Sequence, residues 1–317
     1  MTLLRRLVLL LALGGAPVVL LAQSPDTVKV GLWLKSLYDM DLSGGAYNTN
    51  FWLWFVYRSD SIAPAESAEV TNAKAFEFAQ ASVEKKGGLN WASQEVRAEM
   101  KQIWDVNYFP FDRQVLTIEV EDAQNDLESV VYLADTANST YSKEIELDGW
   151  KIESFEVSTT EHHYATNFGD PTLAEGGSDY PQLTAQLTIR RNGWGLFFKL
   201  FTGVYVAFFI SWLAFFVPPT EVDPRFGLSV GGLFGAVGNK YLVDSILPDI
   251  ISTSLSDRIH GLTFAMLLSN VVVSVISLYY AKQERTATYK RIDRTAAAVL
   301  VVIFLIINVI FIAQAAR

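Results

Sequence analysis

A chain of 317 residues, half of them apolar, is longer than one average domain and more apolar than a soluble protein needs. With no cysteine and only three histidines it has neither a disulfide framework nor thiolate chemistry, and a multi-histidine metal enzyme is nearly excluded. Its formal net charge of −9 has the wrong sign for nucleic acid.

The N-terminus, MTLLRRLVLLLALGGAPVVLLAQSPD, carries two arginines, an apolar run from Leu7 and small residues before Gln23. It reads as a secretory signal peptide over 1–22, cleaved near Ala22. The alternative is a first membrane span, but Gly14, Gly15 and Pro17 interrupt the run.

From 24 to 192 the chain holds 27 Asp and Glu against 13 Lys and Arg, and no apolar run long enough to cross a bilayer. Short alternating stretches fill it: VKVGLWLKSLY, NFWLWFVYRS, QVLTIEVED, ESVVYLAD, WKIESFEVS and QLTAQLTIRR. Turn residues such as Lys85-Lys86-Gly87-Gly88 bound them. This spacing predicts one antiparallel, all-β sandwich domain over 23–191. Between two strands sits a knot of aromatic, proline and acid, DVNYFPFDRQV at 105–115. Taken alone it is a tight turn with proline setting φ.

After 192 the chain changes solvent. Residues 200–217, 261–281 and 295–316 are runs of 18, 21 and 22 without a charge. Each is long enough to cross about 30 Å of hydrocarbon at about 1.5 Å per residue. A fourth stretch, 226–247, is equally long but rich in glycine and carries Lys240 and Asp244. Four helical spans are expected in 192–317, at about 196–217, 225–247, 259–281 and 293–316. The segment KQERTATYKRIDR holds five Lys and Arg, so the loop 282–292 is expected in the cytoplasm. A cleaved signal peptide puts the N-terminal domain outside, and the two orientations agree.

On a helical wheel of the second span, Asp223, Gly227, Gly231, Phe234, Gly238, Tyr241 and Ser245 share one face, while Leu228, Leu233 and Val237 point elsewhere. A helix lining an aqueous lumen has this pattern. Small residues every four positions also let helices pack closely, so both readings stay open here. Lys240 and Asp244 form an i,i+4 pair, read as a salt bridge near the outer surface.

A β-domain followed by four spans is uncommon, and with it the knot becomes informative. DVNYFPFDRQ resembles the signature loop of the pentameric ligand-gated ion channels, the Cys-loop receptor superfamily. Gln102 and Leu116 stand where animal members have the two cysteines; bacterial members lack that disulfide too. DGWKIESF at 148–155 and FISW at 209–212 are similar to segments of bacterial members. Arg191 lies 21 residues before Trp212, and Arg225 lies 23 before Pro248, as in the family. Two departures stand out. Gly203 replaces a proline common in the first span, and the pore face carries three glycines, Phe234 and Tyr241.

The resemblance implies an immunoglobulin-like extracellular sandwich on an all-α four-helix transmembrane domain, five copies around a pore in a bacterial inner membrane. Phe109, Pro110 and Phe111 would seat the sandwich on the membrane domain. Asp112 would pair with Arg191, and the loop from Pro248 would carry the motion to the pore. Phe234 would form the hydrophobic gate. Asp223 would ring the cytoplasmic mouth, favouring cations over anions. At the subunit interface, Tyr164 and Phe168 on the hairpin 161–180 would cap a ligand cavity, with Trp54 and Trp91 facing it from the next subunit or, alternatively, packing the core. His162 and His163 are weak candidates for a divalent ion, because adjacent strand residues point to opposite faces. Protonation is the other stimulus such a vestibule offers. Membrane lipids and permeant ions are the remaining partners; no cofactor is expected. No nucleophile elbow, phosphate loop or zinc spacing suggests an enzyme. The rival is a non-conducting periplasmic ligand sensor or scaffold.

Overall fold

The computed structural model describes residues 24–169, 177–247 and 253–316. The signal-peptide expectation lies outside this range. Apart from a one-turn helix at Pro64–Ser67, the chain builds strands first and helices after. The strands are β1 (Asp26–Asp41), β2 (Ala46–Tyr57), β3 (Ala68–Val70), β4 (Ala73–Phe78), β5 (Ser82–Lys86), β6 (Leu89–Lys101), β7 (Arg113–Asp122), β8 (Val130–Ala134), β9 (Thr140–Tyr141), β10 (Trp150–Tyr164) and β11 (Ser178–Arg191). The helices are α1 (Gly193–Trp212), α2 (Val222–Asp244), α3 (Leu255–Lys282) and α4 (Thr286–Ala315), with a 3-10 turn at Leu213–Phe216.

Two sheets form. One has the order β4-β6-β2-β1-β8, with β5 added on β6 and β9 on β1; the other runs β10-β11-β7-β3. Alternation decides which face is buried. Val30, Leu32 and Leu34 of β1, Phe51, Leu53 and Phe55 of β2, and Val96 and Met100 of β6 are all buried. From the smaller sheet, Leu116, Ile118 and Val120 pair in register with Leu187, Ala185 and Leu183, and join the same core. The Tyr47 hydroxyl donates to the Thr117 carbonyl at 2.8 Å, a direct bond from one sheet to the other.

Three helical segments, Gly193–Phe216, Leu255–Lys282 and Thr286–Ala315, are long and apolar enough to cross a membrane. At α2 the charges Asp223, Arg225, Lys240 and Asp244 and its glycines dilute the apolar content. Ser254 and Asp257 form a reciprocal capping box that starts α3. Along α3, Ser256, His260, Thr263, Asn270, Ser274 and Ser277 are buried with Leu255, Ile259 and Leu267, so two thirds of its buried residues are polar.

Candidate functional site

The knot is packed from several directions. Asp112 is buried and accepts two bonds from the Arg191 guanidinium, Nε to Oδ1 at 2.8 Å and Nη2 to Oδ2 at 3.3 Å. Gln114 Nε2 adds a third at 2.7 Å. The guanidinium also lies 3.9 Å from the Trp150 ring centroid and 5.1 Å from that of Phe109. The cation is thus held by a carboxylate and two aromatic faces. Phe111 stacks into the first turn of α1, its ring 4.9 Å from Trp194 and 5.7 Å from Phe197. Gly193 makes the approach possible, since a Cβ there would fall 2.1 Å from the Pro110 carbonyl oxygen. On the other side, the Asn107 carbonyl accepts the Leu255 amide at 2.9 Å and Arg258 Nη2 at 3.1 Å, satisfying a free donor of α3. The knot therefore touches the start of both α1 and α3; Pro248 lies outside the described residues. Gln102 Nε2 donates to the Val115 carbonyl at 3.3 Å, a hydrogen bond beside the position a disulfide would occupy.

Asp223, Gly227, Gly231, Phe234, Gly238, Tyr241 and Ser245 are all exposed in the single chain, Phe234 at 72% and Tyr241 at 74%. The opposite face buries Arg225, Ser229, Gly232, Ala236 and Val243. The glycine that permits close packing is Gly232, where a Cβ would lie 2.6 Å from the Ala207 carbonyl oxygen of α1. A Cβ on Gly227, Gly231 or Gly238 would meet nothing within 4 Å. Within one chain, then, helix packing uses the other face of α2, and the stripe is left open.

Arg225 is two residues from Asp223, about 200° round the helix, and fully buried. Its Nη1 donates to the Val217 carbonyl at 2.9 Å and to Asp293 Oδ2 at 3.0 Å, and Nη2 reaches Asp293 Oδ1 at 2.7 Å. Lys240 pairs with Asp244 and also with Asp257 of α3 at 2.8 Å, so it joins two helices rather than flanking one. The departure at Gly203 has a local reason. A Cβ there would sit 2.8 Å from Asn239 Nδ2, which donates to the Leu200 carbonyl at 2.8 Å, while Asn239 Oδ1 meets His260 Nε2 at 3.0 Å.

The third place is a cavity of about 410 Å³ lined by Glu69, Glu121, Asp122, Tyr164, Phe168 and Tyr180, among others. Tyr164, Phe168 and Tyr180 form an edge-to-face cluster with centroids 5.4 to 6.3 Å apart. Glu121 is buried and anchors the wall. It accepts the Tyr164 hydroxyl at 2.9 Å and Gln182 Nε2 at 2.6 Å, and contacts His162 Nδ1. Burial, together with the hydrogen bond to Glu121, pushes the Tyr164 hydroxyl up from its ordinary value. Burial first and Glu121 second raise the Glu119 carboxyl, with His162 working against them.

Within the chain neither tryptophan lines this wall. Trp54 lies over Gly31 and donates from Nε1 to Asp135 at 3.2 Å; Trp91 carries the Lys86 ammonium 3.8 Å from its ring. The histidines diverge, His162 toward Glu121 and His163 toward Asp179 at 2.7 Å. Among the described residues no three His, Asp or Glu gather as a metal site. Sequence reasoning missed Glu121, Tyr180 and Asp293. None had a local signal: Tyr180 meets His162 through the β10–β11 ladder and Glu121 meets Gln182 through β11–β7, registers that the fold sets, and Asp293 reaches Arg225 across 68 residues.

No family model matches the chain. A protein of Gloeobacter violaceus described as a proton-gated ion channel is 23% identical over 311 residues, 92% of this chain and 83% of its own length. The chain is a homologue of that ion channel. The match runs through both the sheet-rich part and the helices, so the resemblance to bacterial pentameric ligand-gated channels extends well beyond the knot. The chain is thus similar over most of its length to an ion channel, and three of its helices are long and apolar enough to cross a membrane.

Proposed function

We propose that five copies of this chain form a ligand-gated, cation-conducting channel in a bacterial inner membrane. The strands make an immunoglobulin-like sandwich on the periplasmic side, α2 is the fourth span, and 1–22 is a cleaved signal peptide. The observation that carries this reading is the open stripe of α2. All seven stripe residues from Asp223 to Ser245 are exposed, with Val230, Leu233 and Leu242 exposed beside them, and three of the stripe's glycines would accept a Cβ without any contact, in a helix whose other face is packed on α1. A helix in a bilayer with a small, partly polar, unpacked face needs either water or another subunit against it.

In this reading Phe234 forms the apolar constriction and Asp223 the carboxylate ring at the inner mouth. Arg225 does not oppose that ring directly, because it is buried away from the stripe and paired with Asp293. The stimulus acts at the cavity walled by Glu121, Tyr164, Phe168 and Tyr180, which five-fold assembly would close with Trp54 and Trp91 of the next subunit. Aromatic faces and carboxylates suit a small cation. The Glu121–His162 contact suits protons, the stimulus in the description of the Gloeobacter homologue. Occupancy would shift a closed–open equilibrium through Asp112–Arg191 and the Asn107 contacts to α1 and α3. A non-conducting sensor is the second reading, favoured by two exposed rings, Phe234 and Tyr241, facing the same axis.

Native mass of the purified particle and planar-bilayer recording across pH test both. A fivefold mass with stimulus-evoked unitary currents is expected. A fivefold particle that stays silent at every pH supports the sensor, and any other stoichiometry overturns both readings.

A further inference from the structure

Asp223 and Arg225 put opposite charges two residues apart at the base of α2. Burial turns the guanidinium away from the stripe but does not remove its charge. In a low-dielectric wall the field of a buried cation extends further than in water, and five copies at one height would act together on ions at the mouth. Only a fixed opposite charge cancels it. Among the described residues that charge is Asp293, 6% exposed, which takes both terminal nitrogens of Arg225 at 2.7 and 3.0 Å. Asp293 belongs to α4, which packs mainly on α3 and is the most exposed of the apolar helices. The neighbouring cations Lys290 and Arg294, on the wall of an adjoining cavity of about 260 Å³, are exposed and screened by solvent.

We propose that Asp293 is a selectivity-determining residue: from the outermost helix it neutralises the Arg225 ring and leaves Asp223 to set the potential at the cytoplasmic mouth. This rests on the channel reading above, but its direction does not depend on which ion the wild type prefers. Losing Asp293 moves selectivity toward anions, and losing Arg225 moves it toward cations.

The test is reversal-potential measurement on the full-length assembly in a NaCl gradient, at one fixed pH for the wild type and every variant. Asp293→Asn is expected to lower the Na⁺/Cl⁻ permeability ratio by about threefold or more, and Arg225→Gln to raise it. The double variant, with neither charge, should return near the wild-type ratio, and Asp293→Glu should keep it. A purely structural pair would lower assembly in both single variants without opposite shifts in selectivity. If Asp293→Asn fails to assemble, Arg225→Gln decides: a raised ratio supports the proposal, and an unchanged or lowered one overturns it. A wild type that conducts nothing overturns the channel reading and this inference with it. A conducting wild type with unmoved variants overturns this inference alone.

Discussion

Glycine marks two contrasting regions of this molecule. At the junction between strands and helices, and on the packed face of α2, it is required for contact: a Cβ on Gly193 would land 2.1 Å from the Pro110 carbonyl oxygen, and on Gly232 2.6 Å from that of Ala207. Along the stripe of Gly227, Gly231 and Gly238 it contacts nothing within the subunit. Gly231 and Gly232 are adjacent in sequence, yet a rotation of about 100° separates a helix–helix seam from open space. Identical residues in one helix therefore answer to different constraints: one lets backbones meet, and the other leaves room beside the stripe.

The junction is expected to be the more fragile of the two regions. Asp112→Ala would leave the Arg191 guanidinium buried without its carboxylate, at a cost of about 3–5 kcal/mol. Thermal unfolding of the detergent-solubilised protein should show this loss, together with poor recovery of the assembled particle. Gly232→Val comes next. Its side chain would meet the Ala207 carbonyl and the Ser211 Cβ, 2.9 Å away, an overpacking of about 1–3 kcal/mol. Gly231→Ala should reverse the sign. It has no packing cost within the subunit and gains up to about 1 kcal/mol of helix propensity, so the melting temperature stays or rises while unitary conductance falls. A large loss of stability at Gly231 would mean that the stripe is a packed seam, and the contrast would fail.

The smallest effect belongs to Glu119, two residues along β7 from the cavity-lining Glu121 and neither fully packed nor open. Burial and Glu121 raise the Glu119 carboxyl above its ordinary 4.5. Between that value and the raised one, the folded chain holds more protons than the unfolded chain, so this group lowers stability as pH rises through the window. Glu119→Gln is therefore expected to melt slightly above wild type at about pH 7.5, with the difference gone at about pH 4. A difference that persists at the lower pH would assign the gain to packing instead of charge.

Much of this could be read from the chain. Alternation in QVLTIEVED and QLTAQLTIRR predicted strands, because a strand with one buried face must alternate, and Leu116, Ile118 and Val120 are buried as that rule requires. The pairing of Asp112 with Arg191 followed from the family resemblance of FPFD. The wheel of α2 put the seven stripe residues on one face, since helical geometry is local. It gave no way to choose between water and packing, because that depends on which face α1 covers.

By itself, then, the sequence determined what short-range periodicity encodes: strands before residue 192, helices after it, three of them apolar enough for a bilayer, and one glycine-rich face on α2. Tertiary structure alone decided which glycines meet a neighbour, that Asn107 closes the start of α3, that Glu121 anchors the aromatic cavity, and that Asp293 takes Arg225 across 68 residues. The physical reason is the same in each case. These partners meet through contacts between elements distant in the chain, and no local rule of spacing or propensity carries information about which distant side chain a buried charge or an empty Cβ position will find.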